Sequence, residues 1–274
     1  MKTWLLIFLF LFTSFAHAQT LQDSVKLRYN LFHPTPKNLM RDFETDRPDV
    51  TESAYTVDAG HFQLETDLIK TERFNTGGIH IINNFFNTVN LKLGITNSLD
   101  FQVVVATINT SRVKEENTSV KQSGFGGLTL RVKQNLWGND NGKTALSLLP
   151  FVTIPTSSAE KISGGIVFPF ATLLSHGWDF GAEIEADITP NQTGNNYHFN
   201  YLVSATTSHS LFKNLDFFVE GVATRDNESK IYEYFIDGGP IFSVTKNWNI
   251  DCGVYYGLKR ISSKTFFVGM SLRI

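Results

Sequence analysis

The chain has 274 residues, 26 acidic and 24 basic side chains, and one cysteine. A balance this close to neutral gives no electrostatic case for nucleic-acid binding, and a single Cys252 excludes an intramolecular disulfide framework, leaving it as a small apolar filler. Phenylalanine (24) and glycine (20) are abundant, yet beyond the N-terminus no apolar run approaches the roughly 18 residues of a membrane-spanning helix.

In chain order, Met1-Lys2, the apolar stretch Trp4–Phe15 and Ala16-His17-Ala18 have the layout of a secretory signal peptide. Residues 1–18 are expected to be removed, leaving Gln19 first. Residues 19–60 hold Pro34, Pro36 and Pro48, scattered charges and little periodicity. They read as an extended periplasmic or plug-like segment without a core of its own. Within it, Asp46, Arg47, Asp49 and Glu52 are candidates for a gate or a cap. The cap is the expected form, with Arg47 paired to Asp46, Asp49 or Glu52, on the reasoning that so short a segment reaches little way into a barrel.

From residue 61 to 274 the pattern is period two. In Trp178–Ile188, Trp178, Phe180, Ala182, Ile184, Ala186 and Ile188 fall on one face of a strand, and Asp179, Glu183, Glu185 and Asp187 on the other. The same alternation recurs in Phe62–Leu68, Thr88–Leu93, Leu128–Leu136, Ile250–Lys259 and Phe266–Ile274. Strands are expected over 61–73, 84–95, 99–109, 124–137, 143–154, 165–176, 178–190, 197–208, 215–225, 231–244, 249–260 and 264–274. Short turns near 96–98, 138–142, 176–177, 213–214 and 246–247 alternate with longer polar links around 110–123, 155–164 and 189–196. The fold class that follows is all-β: a transmembrane antiparallel barrel of about 12 strands. It closes because lipid offers no partner to a free sheet edge. Both ends of residues 61–274 fall on the short-turn, periplasmic side. Trp137, Trp178, Phe217 and Trp248 near the turns, and Phe74, Tyr197 and Tyr232 near the loops, suit interfacial girdles.

One stretch carries a family resemblance. Thr45-Asp46-Arg47-Pro48-Asp49-Val50-Thr51-Glu52-Ser53, with Tyr55-Thr56-Val57 and Gly60-His61-Phe62-Gln63-Leu64-Glu65 after it, resembles the opening motif of an outer-membrane family assigned to transport in a phenol-degradation meta-pathway. Gly94–Asp100, Gly124–Lys133 and the segment from Leu148-Leu149-Pro150 to Ile154-Pro155-Thr156 are similar to later parts of that family. The resemblance implies a monomeric outer-membrane barrel that moves small hydrophobic or aromatic compounds. It departs at the C-terminal end, where Ile274 stands in place of the customary aromatic residue.

Candidate functional groups sit on the polar, inward faces. Lumen or solute-pathway candidates are Glu65, Asp67, Lys92, Arg131, Lys133, Glu183, Glu185, Asp187, Glu220, Asp237 and Asp251, with Lys259 and Arg273 as further inward bases. Bases concentrate on the second and fourth strands, acids on the seventh to eleventh. Such a lumen could carry a transverse field and a selective water path, or a network of mutually satisfied charges. His209 between Ser208 and Ser210 lacks a visible orienting partner, no G-x-S-x-G occurs, and the histidines lack metal-ligand spacing. The expectation is a non-enzymatic, cofactor-free passive channel for small solutes in a bacterial outer membrane, assembled by the barrel-assembly machinery and surrounded by membrane lipid and lipopolysaccharide. The alternatives are a structural or surface-interaction barrel with a packed lumen and, further off, a membrane-embedded lipid hydrolase or acyltransferase.

Overall fold

The computed structural model describes residues 26–115, 118–140, 142–156, 161–259 and 262–274; the expected signal peptide lies outside them. Thirteen segments alternate in one antiparallel sheet: β1 (Phe62–Thr76), β2 (Ile79–Thr96), β3 (Leu99–Glu115), β4 (Thr118–Gly124), β5 (Leu128–Trp137), β6 (Thr144–Ile154), β7 (Ser163–Leu173), β8 (Trp178–Pro190), β9 (Tyr197–Phe212), β10 (Leu215–Asp226), β11 (Ile231–Thr245), β12 (Trp248–Gly257) and β13 (Lys264–Arg273). β4 and β5 both pair with β3 and are two pieces of one strand broken at 125–127. β1 pairs with β13 as well as β2, so the sheet closes into a 12-stranded barrel.

Closure explains an inverted burial pattern. Ile184 is 60% exposed while its neighbour Glu183 is 2% exposed. Apolar side chains face outward as they must against lipid, and the charged ones fill the interior. The alternation read from Trp178–Ile188 therefore holds, with the apolar face outermost.

Two expectations change. Within 110–123, expected as a loop, residues 110–115 continue β3 and residues 118–123 belong to β4, paired from Asn109↔Gly124 to Glu115↔Thr118. Both faces of this extension are largely polar, so no hydrophobic alternation marks it. Phe74, expected at an outer girdle, lies on the inner side. A bulge between Asp67 and Ile69 shifts the β1 register, so that Glu72 pairs with buried Thr265 and Arg73 with exposed Lys264. An inserted residue in one strand exchanges the faces of everything beyond it.

Tight connections join β2 to β3, β9 to β10 and β11 to β12 at one end, where β1 begins and β13 ends. Residues 26–40 pack beneath this turn end, anchored by the Leu31 amide on the Ile95 carbonyl (2.8 Å) and by Thr35 on Ala59 (2.9 Å).

Candidate functional site: a lumen threaded by the N-terminal strap

Residues 41–58 run inside the barrel as an irregular strap. A backbone with no strand partner, removed from bulk water, must find other acceptors for its amides. The wall provides carboxylates. The Asp46 and Arg47 amides donate to Glu65 of β1 (3.1 and 3.0 Å), those of Val50 and Thr51 to Glu220 of β10 (2.7 Å each), that of Glu52 to Glu183 of β8 (2.7 Å), and that of Val57 to Asp100 of β3 (3.0 Å). Wall donors meet strap carbonyls in return: Lys133 reaches Ser53 O (2.8 Å), Asn135 reaches Ala54 O (2.9 Å) and the Tyr255 hydroxyl reaches Pro48 O (2.7 Å).

Side-chain charges add a second set of ties. Asp46 accepts from Lys133 (2.7 Å) and pairs with Lys92, which also contacts Glu65. Lys133, with a side chain 1% exposed, is among the most buried large residues of the molecule. Arg47 bridges Asp67 and Asp251, the latter at 2.6 Å, and Arg131 pairs with Glu52. Burial by itself would raise the Asp46 carboxyl; the Lys133 and Lys92 ammonium groups more than offset it and hold the group well below the usual range. Asp49 has no such cation. Burial, reinforced by the charge of nearby Glu220, pushes it up to about 8. Room for Arg47 comes from Gly269 of β13, where any Cβ would overlap the guanidinium.

At the turn end a third cluster closes the strap. Asp58, fully buried, faces Lys26 (3.1 Å), Arg41 (3.5 Å) and Arg273 (3.6 Å). Lys26 also reaches Asp140 (2.6 Å), and Arg41 donates to Thr56 O (2.6 Å). Sequence reasoning passed over Lys26, Arg41, Asp58, Asp100 and Asp140. Asp58 adjoins the family-like motif and Asp140 lies in an Asn-Asp turn, but their partner lies up to 114 residues away in sequence.

The expected cap is thus corrected. Arg47 does not pair with Asp46, Asp49 or Glu52 but with wall residues Asp67 and Asp251, and the segment extends into the lumen. Its length was no obstacle, because 18 extended residues span on the order of 60 Å. Of the inward candidates, Glu65, Asp67, Lys92, Arg131, Lys133, Glu183, Glu220 and Asp251 all contact the strap. Glu185 and Asp187, nearer the loop end of β8, form no hydrogen bond or ion pair with a described residue of the strap. Asp237 of β11, 3% exposed, sits directly opposite Glu220 across the β10–β11 ladder, its carboxyl against that of Glu220. Lys259 lies past β12, exposed, on the Tyr232 carbonyl, and is not a lumen residue. His209 lies tilted against Trp178 (4.7 Å) with its ring on the His176 carbonyl (3.2 Å), and Ser210 donates to Asp216 (2.5 Å), so no Ser–His hydrogen bond forms among the described residues.

Between the strap and β7–β11 at the turn end lies a cavity of about 270 Å³, lined by Phe43, Tyr55 and Phe218 together with Asp179, Thr206 and Ser208.

These features define an outer-membrane-type β-barrel with an internal strap. Residues 45–274 match the family described as "Putative MetA-pathway of phenol degradation", and the chain belongs to that family. Among solved structures it resembles the COG4313 outer membrane channel from Pseudomonas putida F1 (TM-score 0.62, 10% identity, 84% of this chain and 100% of that one). It also resembles the NanC porin (TM-score 0.51, 9% identity, 77% and 100%) and the translocator domain of the autotransporter NalP from Neisseria meningitidis (TM-score 0.51, 13% identity, 78% and 88%). At these identities the likeness is one of fold. No curated protein matches the sequence.

Proposed function

We propose that this protein is a passive outer-membrane channel for small solutes in which the strap at 41–58 is the constriction. The observation that carries the reading is the way the strap is held. Its amides rest on wall carboxylates and its charges on wall charges, a set of contacts that can be exchanged for water one by one without unpairing any strand. A tightly packed apolar core would offer no such route. The aromatic and polar lining of the 270 Å³ cavity suits a small amphiphile such as a hydroxylated aromatic ring. This agrees with the family's description and with its Pseudomonas structural neighbour, an outer membrane channel. Placement in the bacterial outer membrane, export by a signal peptide and insertion by the barrel-assembly machinery belong to the same reading, and a monomer suffices for it.

A second reading, a structural barrel with a permanently packed lumen, is favoured by the buried Lys133–Asp46–Lys92 cluster. Proteoliposome swelling separates the two. The channel reading expects swelling in phenol-sized neutral solutes at a rate set by the amount of barrel, and faster swelling for Asp46→Asn. Liposomes that stay impermeable with both proteins would leave the structural barrel standing.

A further inference from the structure

The outer surface of the wall is almost free of charge except in one place. Past the bulge in β1, the register aligns Lys264 of β13, Arg73 of β1, Ile82 of β2, Arg112 of β3 and Lys121 of β4 in a single cross-strand row. Directly paired residues in an antiparallel sheet share a face. This face is the outer one, since Lys264, Arg73, Arg112 and Lys121 are exposed while the alternate residue Thr265 is buried. Lys114 sits on the same face two residues beyond Arg112. No aspartate or glutamate of the described strands shares it: Glu72, Glu115 and Glu233 fall on the inner side by the same registers.

Neighbouring strands lie about 4.8 Å apart, so the row sets four cations along roughly 19 Å. Like charges directly opposite one another are destabilising. Lys264 lies over the Tyr256 ring, but the side chains of Arg73, Arg112, Lys114 and Lys121 form no ion pair or hydrogen bond with a described residue. The remaining outward cation of the strands, Arg225, is likewise stacked on an aromatic ring, that of Tyr232. Height matters too. Arg73 is the twelfth residue of β1 and Arg112 the fourteenth of β3 counting from the turn end, beyond the roughly 9–11 tilted residues that cross hydrocarbon. The cations therefore reach headgroup level at the loop end.

We propose that this row binds the phosphate groups of an anionic glycolipid of the outer leaflet, of the lipid A type. The apolar outward residues below it, among them Ile69, Phe266 and Ile108, would lie along its acyl chains. Arg73 and Arg112 present planar forks suited to phosphate oxygens, and Lys121 and Lys264 act as point charges at the ends. The inference depends on the outer-membrane placement but not on whether the lumen conducts.

The test is native mass spectrometry of the detergent-purified full chain with added lipid A, bisphosphorylated or enzymatically dephosphorylated. The wild-type chain is expected to retain the bisphosphorylated form at least tenfold more strongly. Arg73→Gln/Arg112→Gln/Lys121→Gln is expected to lose that preference. Lys143→Gln/Lys213→Gln/Lys246→Gln, which removes as many charges at the turn end, is expected to keep it. Heat-modifiable gel migration reports folding of each variant. Should the outward triple variant not fold, the two lipids on the wild-type chain still decide. Equal retention of both lipids, meaning acyl contact alone, overturns the proposal, as does equal loss in the two triple variants.

Discussion

The two halves of the lumen treat their charges differently. In the half nearer the turns, Glu65, Lys92, Lys133, Glu183 and Glu220 each meet the strap through a hydrogen bond or ion pair. In the half nearer the loops, Glu185 and Asp187 of β8 form no hydrogen bond or ion pair with a described residue of the strap. The same residue type thus does two jobs. Where an irregular backbone enters, a carboxylate is an acceptor for amides that have no strand to pair with. Where it has no strap contact, as at Glu185 and Asp187, it lines the lumen and meets whatever enters.

The largest way to break this contrast is to disable the most buried tie. Asp46→Asn leaves Lys133 and Lys92 short of a counter-charge. Losing one member of a buried ion pair costs about 3–5 kcal/mol, which should unseat the strap without unfolding the wall. Protease cleavage within 41–58, with the barrel still heat-modifiable on gels, would register it. Gly269→Ala should act through space instead, displacing Arg47 from Asp67 and Asp251. The loss of that buried bridge is expected to expose the strap to a similar or lesser degree in the same assay.

Substituting Glu220 by Gln keeps an acceptor for Val50 and Thr51 but removes its charge, at a cost of about 1–3 kcal/mol. Amide hydrogen exchange at those two residues should accelerate while that of the wall amides does not. Acidity offers a further handle. The Asp49 carboxyl is raised from 3.8 to about 8 in the seated strap, by burial and then by Glu220, with Asp251 adding to the same repulsion. A raised acid binds its proton more tightly when seated. The contribution of Asp49 to seating is therefore fully present below about pH 4, weakens as pH rises, and is lost above about 8. Strap cleavage should climb across that range, and Asp49→Asn should flatten the climb.

The smallest effect belongs to the loop half. Glu185→Gln and Asp187→Asn have no strap contact to lose, so strap seating should change by no more than about 0.5 kcal/mol. What should change is ion preference, with lower cation selectivity in a reversal-potential measurement. A shift in strap exposure equal to that of Glu220→Gln would erase the contrast.

How much of this was legible in the sequence follows from what each feature leaves on it. The wall was, because alternation such as Ile184 against Glu183 and Glu185 repeats along strands that face lipid and lumen. The extension through β4 was not, since opposite Arg112, Lys114 and Lys121 its other face offers only Val113 and Val120 among Ser111, Glu115, Thr118 and Gln122. The bulge at Leu68 was not, because it changes a register rather than a composition, and it carried Phe74 inward. The candidate charges other than Lys259 were legible as inward-facing. Their partners were not: Arg47 and Asp251 are 204 residues apart, and no local pattern announces a contact made by threading a barrel.

The central claim is that the strap at 41–58 fills the lumen and sets what passes. Planar-bilayer recording of the full chain beside one lacking residues 41–58 tests it most directly. The account predicts a several-fold larger conductance for the shortened chain, with the wall still folded. Equal conductance from two folded barrels would contradict it.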